Sequence, residues 1–169
     1  MPESAPDPTK PHQLTLLFIC THNRCRSILC EALARYLGQG RIAAFSAGSQ
    51  PAGNVHPETL QHLKLRGVPT EGLRSQSWDD FADLSPDAVI TVCDSAAGEQ
   101  CPLWFGKVVK VHWGLQDPSR AEGSSADRAA AFESVLQIIE ARLGQLLTPE
   151  LSTLRGDALC DALITISER

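Results

Sequence analysis

The chain has 169 residues, 43% of them apolar, and a formal charge of −5, enough to bury one sizeable core without staples. Twenty acidic residues against fifteen Lys and Arg argue against a nucleic-acid partner, which would require a basic excess. No apolar run approaches the ~18 residues of a membrane span, so no membrane partner is expected.

Residues 1–13 are Pro-rich and polar, lack the apolar stretch of a secretory signal, and are expected to form a disordered tail. Leu14–Cys20 is a bulky apolar run without alternation, as in a parallel strand buried on both faces. Ser27–Leu37 has helical apolar spacing and is stopped by Gly38 and Gly40. Arg41–Phe45 is a weaker strand, ended by Ser46-Ala47-Gly48, and Pro57–Arg66 reads as a helix with Pro at its start. Asp87–Cys93 and Lys107–Trp113 are two further strands. Ala126–Leu147 is helical throughout, and Thr148-Pro149-Glu150 starts another helix that Gly156 can break in two. Strands alternating with helices predict an α/β fold with a parallel sheet. The division expected is a tail over 1–13, one domain over 14–147 and a helical extension over 148–169.

Six cysteines, Cys20, Cys25, Cys30, Cys93, Cys101 and Cys160, are too few for a secreted disulfide scaffold. With no export signal they are expected in a reducing cytoplasm, where clustered thiols read as catalytic, redox or metal-binding. In parallel sheets, ligands sit beyond the carboxyl ends of the strands. Cys20 closes the first strand, Cys93 closes another, and Asp117 follows the last strand by four residues.

Cys20-Thr21-His22-Asn23-Arg24-Cys25-Arg26-Ser27 joins a strand to a helix start. Successive N–H groups wrapped around a helix N-terminus make an anion-binding nest. A thiol at its base should have its thiolate stabilised, and Arg26 can grip two oxygens of a tetrahedral oxyanion. Ser27 can donate to the thiolate, and Asn23 tolerates a left-handed backbone. The bland alternative is a buried strand-end thiol with a solvated arginine.

The segment FICTHNRCRSILCEA resembles the phosphate-binding loop of the low-molecular-weight protein tyrosine phosphatase superfamily, especially that of its arsenate reductases. The resemblance runs from about Leu14 to the helix near Leu147. It implies a three-layer fold with a central four-stranded parallel sheet and helices on both faces. It assigns the nucleophile to Cys20 and the oxyanion grip to Arg26. Thr21, His22, Asn23, Arg24, Cys25 and Ser27 complete the oxyanion loop, with His22 standing where a Gly is usual.

VCDSAAGEQCP places Cys93 and Cys101 around a small, polar, Gly-containing loop that refolds cheaply, which suits disulfide exchange. A zinc pair would usually be spaced more closely, and two unrelated buried thiols are the other reading. The arsenate reductases carry a matching Thr-Leu-Cys…Cys-Pro element, which implies that Cys93 and Cys101 are their second and third redox cysteines. Asp117-Pro118 alone reads as a turn; the superfamily's acid loop has this pair at the same place, which implies that Asp117 protonates the departing oxygen. No aromatic follows in DPSRAEG, against a phosphotyrosine substrate. Cys30 and Cys160 read as packing thiols. Glu31 and Ser46 match positions that help bind potassium in some arsenate reductases, with the rest of that site altered around Ser75–Asp79; a solvated Glu is the default reading.

The resemblance therefore implies arsenate as substrate, with phosphate or sulfate as mimics, and thioredoxin or glutathione/glutaredoxin as donor. No cofactor and no metal are expected. The competing expectations are a phosphatase using Cys20, Arg26 and Asp117 alone, and a non-catalytic redox sensor or oxyanion-binding protein.

Overall fold

The computed structural model describes residues 13–93 and 108–168. Residues 1–12 of the tail expected over 1–13, Lys107 and Cys101 lie outside the described residues.

Leu14–Ile19 forms β1. Leu16, Leu17, Phe18 and Ile19 are all buried although they alternate between faces, so β1 is covered on both sides. Beyond it run α1 (Arg26–Gly38), β2 (Ile42–Ala47), α2 (Pro57–Leu65), β3 (Ala88–Thr91), β4 (Val109–His112), α3 (Ser125–Leu146), α4 (Pro149–Ser152) and α5 (Gly156–Ser167). The four strands lie in the order β2-β1-β3-β4, every pair parallel. The class expected from sequence is the one observed: a central parallel sheet of four strands, flanked by helices. From β1 the chain moves to one neighbour, β2, and later to the other, β3. The carboxyl end of β1 is thus a topological switch point, where α/β sheets leave a crevice.

Several boundaries differ from the sequence reading. Cys20 lies just past β1, and Cys93 lies two residues past β3. Both lie beyond the strands proper, although the Cys20 N–H still donates to the Ala47 carbonyl at 3.3 Å, and both line the crevice. The last segment breaks as expected, giving α4 and α5 on either side of residues 153–155. A short 3-10 turn at Trp78–Phe81 and another at Pro118–Arg120 carried no periodic signal to predict them.

The helices start where their sequences allow. Ser124 and Asp127 form a capping box at the head of α3, satisfying two otherwise orphaned groups. His56 caps α2 through Nδ1, with Pro57 as the first helical residue. α1 packs on β1 and β2, and α5 packs on β4. Trp113, almost fully buried, donates its indole N–H to the Leu163 carbonyl at 3.0 Å. Leu159, Leu163 and Ile166 are sealed beneath α5, each stabilising the packing by roughly 1.5–3 kcal/mol.

Candidate active site

The loop after β1 is built by hydrogen bonds that sort its carbonyls from its amides. The Thr21 carbonyl accepts from the Gln50 N–H at 2.9 Å, and the His22 carbonyl from the Ala52 N–H at 2.9 Å. The Ser75 hydroxyl also donates to the His22 carbonyl, at 3.1 Å. The Arg24 carbonyl accepts from the His56 N–H at 3.0 Å and from the Thr59 hydroxyl at 3.3 Å. A trans peptide points its N–H opposite its C=O. Turning these carbonyls outward turns the N–H groups of His22, Asn23 and Cys25 inward. They face a cavity of about 400 Å³ lined by Cys20, Cys25, Arg26, Cys93 and Asp117 among others.

Two residues fix the bend. Asn23 takes the left-handed conformation with φ of 45°, which Asn tolerates better than most side chains. Its amide donates to the Ser27 hydroxyl at 2.8 Å and its carbonyl accepts from the Gln76 N–H at 2.8 Å. Gly48 runs beside the loop; a Cβ there would lie 2.4 Å from the Thr21 carbonyl oxygen and 2.7 Å from that of Cys20. Its own backbone is locked by hydrogen bonds with Gln76 and Trp78. Among the described non-glycine residues only Asn23 and Gln39 have positive φ. His22 therefore holds a backbone open to any residue, and the Gly usual there is not needed.

Cys20 is buried, with its sulfur 2.9 Å from the Ser27 hydroxyl. Burial pushes the thiol up from its ordinary value; the Ser27 hydroxyl and the N–H groups of Ser27 and Asn23 pull it back only in part. The depressed thiol expected from the nest is corrected here: the hydrogen bonds to the thiolate exist, but desolvation outweighs them. Burial also pushes Cys25 up to about 12 and Cys30 higher still.

Cys93 reaches the same cavity from β3. Its sulfur lies 3.4 Å from the Thr21 N–H nitrogen and 3.7 Å from the Thr21 hydroxyl. The second thiol thus sits against the residue next to the first. Cys101 is outside the described residues.

Arg26 and Asp117 close the opposite wall. The Arg26 guanidinium donates to the Leu115 carbonyl at 3.0 Å and lies 3.8 Å from the Asp117 carboxylate. Asp117 caps the 3-10 turn that follows it: one oxygen accepts from the Ser119 N–H at 3.0 Å and the Ser119 hydroxyl at 2.6 Å. Its other oxygen faces Arg26 and, at 3.6 Å, Arg120. Arg24, Arg26 and Arg120 give the cavity a cationic lining in an acidic chain, suited to a tetrahedral oxyanion.

Glu31 is not solvated as expected from sequence. It is 2% exposed, accepts from Ser46 at 2.5 Å and pairs with Arg35 at 2.6 Å. Burial still pushes its carboxyl up. Arg35 supplies the positive charge beside it. Among the described residues, no three His, Cys, Asp or Glu side chains converge as metal ligands would, and no helix is long and apolar enough to cross a membrane. Gly48, Gln76 and Glu58 were missed by the sequence reading. Only the strand-ending Ser46-Ala47-Gly48 offered any signal for the first.

A strand-end thiol, a loop with its carbonyls pinned outward, an arginine and a capped aspartate thus share one cationic cavity beyond the sheet. The chain belongs to the low molecular weight phosphotyrosine protein phosphatase family, whose pattern it matches over residues 15–157. It is 34% identical over 129 residues to the arsenate reductase of Bacillus subtilis, covering 76% of this chain and 91% of that protein. It is 29% identical over 132 residues to the glutaredoxin arsenate reductase of Synechocystis, covering 78% and 95%. A solved structure, an arsenate reductase in the phosphate binding state, superposes with a TM-score of 0.66 at 27% identity, covering 79% of this chain and 96% of that one.

Proposed function

We propose that the chain is an arsenate reductase driven by thiol donors. The observation that carries this reading is the second thiol: Cys93 lies against Thr21 in the cavity of Cys20. Phosphoryl transfer through Cys20, Arg26 and Asp117 has no use for it.

Arsenate binds with its oxygens on the inward N–H groups of the loop and on the Arg26 guanidinium. The Cys20 thiolate attacks arsenic. A sulfur–arsenic bond forms, and an arsenic–oxygen bond breaks as Asp117 gives its proton to the departing oxygen. The Cys93 thiolate then attacks the Cys20 sulfur. A disulfide forms, the sulfur–arsenic bond breaks, and its electron pair stays on arsenic, which leaves as arsenite. Two thiols are oxidised and arsenic is reduced by two electrons. Cys101 attacks Cys93 next and carries the disulfide outward. A thiol donor of the thioredoxin or glutathione/glutaredoxin class returns the two electrons.

The test mixes reduced protein with arsenate, first alone and then with each donor. One arsenite and two lost thiols per chain are expected without a donor, and continuous turnover with one of them. A Cys93→Ser variant that keeps full turnover would sink the proposal. Hydrolysis of an aryl phosphate with no arsenite under any donor would put the phosphatase reading in its place.

A further inference from the structure

Asp117 sits on a stretch with almost no regular structure, a three-residue 3-10 turn between β4 and α3. Arg26 holds the near side of this stretch through the Leu115 carbonyl. The far side is held by Arg128, from the first turns of α3. Its guanidinium donates to the Ser119 carbonyl at 2.9 Å and to the Ala121 carbonyl, so it grips the turn just beyond Asp117. The same guanidinium takes both carboxylate oxygens of Glu58, through Nε at 3.1 Å and through Nη2.

Glu58 belongs to the helix that anchors the other loop. It is the second residue of α2, next to the capping His56. His56 donates its N–H, and Thr59 its hydroxyl, to the Arg24 carbonyl inside the oxyanion loop. One side chain therefore joins the stretch that carries Asp117 to the platform of the loop that carries Cys20. An exposed ion pair by itself is worth little. Four bonds from one rigid planar group to three separate residues are a geometric constraint that a point charge could not supply.

We propose that Arg128, held by Glu58, is a positioning residue that sets the separation between Asp117 and the oxyanion loop. The inference rests on the role given to Asp117 above. Arg128 touches no reacting atom, so its effect passes through the aspartate.

The test measures the arsenite burst of the reduced full-length protein at saturating and limiting arsenate. It compares wild type, Asp117→Asn, Arg128→Ala and the double variant. Asp117→Asn should slow the burst roughly 10²-fold or more. Arg128→Ala should slow it about 10- to 10²-fold, the range expected when a proton donor shifts by about an ångström. The arsenate concentration for half-maximal burst rate should move less than about threefold, because the grip on the anion is untouched. The double variant should be no slower than Asp117→Asn. Arg128→Lys should recover little.

An Arg128→Ala burst at the wild-type rate overturns the inference, as does a double variant that loses the product of the two single losses. Asp117→Asn at the wild-type rate overturns the role of Asp117 together with the inference, and is read from that variant alone. If Arg128→Ala gives no cooperative melt, Glu58→Gln takes its place in the same cycle, with an expected loss of about fivefold and the same non-additivity.

Discussion

The two walls of the cavity are held in different ways. The oxyanion loop, residues 20–27, is fixed mainly by backbone: the Thr21, His22 and Arg24 carbonyls are pinned by N–H groups of residues 50, 52 and 56. The acid stretch around Asp117 is fixed mainly by two arginine side chains from elsewhere, Arg26 and Arg128. A backbone-held wall fails all at once when the backbone is forced aside; a wall held by side chains fails in proportion to the bond removed. Gly48→Ala tests the first kind of failure, because its Cβ would meet two loop carbonyl oxygens. The expected cost is on the order of 3 kcal/mol in stability and a burst slowed by about 10³-fold or more. Thermal protection by phosphate should vanish as well, where wild type at a hundredfold excess over Kd gains about 2.7 kcal/mol.

Arg26 belongs to both walls, so its loss should come next in size. Arg26→Ala removes the guanidinium that lines the cavity and the bond to the Leu115 carbonyl. Loss of one oxyanion donor typically costs about 10²–10³-fold. Arsenate half-saturation should weaken as well, in contrast to Arg128→Ala, which spares it. A titration of burst rate against arsenate separates the two arginines, and equal half-saturation in both variants would erase the distinction between the walls.

Ser27→Ala should have a smaller effect with a characteristic pH signature. Burial raises the Cys20 thiol and the Ser27 hydroxyl opposes that rise. Without the hydroxyl the thiol moves further up, so the ascending limb of burst rate against pH should move to higher pH. A loss is expected near neutrality, shrinking as the pH rises, because the displaced limb leaves less thiolate at any pH below it. A uniform loss at every pH would mean that Ser27 serves geometry and leaves ionisation alone.

The parts of the molecule that were legible in sequence are the parts set by local pattern. β1 and the run from Cys20 to Ser27 are contiguous, so strand, loop and helix start could be read in order. Asn23 in a left-handed bend followed from residue type. Glu31 was misread because its burial depends on Ser46, on the neighbouring strand, and on its own Arg35. The ionisation of Cys20 was misread because a loop sequence shows its donors but not how deeply the fold buries the sulfur. Arg128 and Glu58 are 70 residues apart, and on single helices each looks like a solvated charge. The limit in every case is the same: long-range contact decides whether a polar residue is surface or scaffold.

The smallest effect concerns the thiols the chemistry does not need. Cys25 and Cys30 are buried, and desolvation raises both. A group whose folded pKa lies above its unfolded value contributes stability that is fully present below the unfolded pKa. That contribution is lost as pH rises through the folded pKa. Between the ordinary thiol value of about 8.5 and the raised value of about 12 for Cys25, unfolding releases protons that folding keeps bound. The melting temperature should therefore fall steadily above pH ~8.5. Cys30→Ala removes one titrating group but opens a cavity, so it should melt lower near neutrality and show a shallower alkaline decline. Cys160→Ala, a change at a partly exposed position of α5, serves as the control. Parallel alkaline slopes in all three proteins would show that burial at Cys30 adds nothing to the pH dependence of stability.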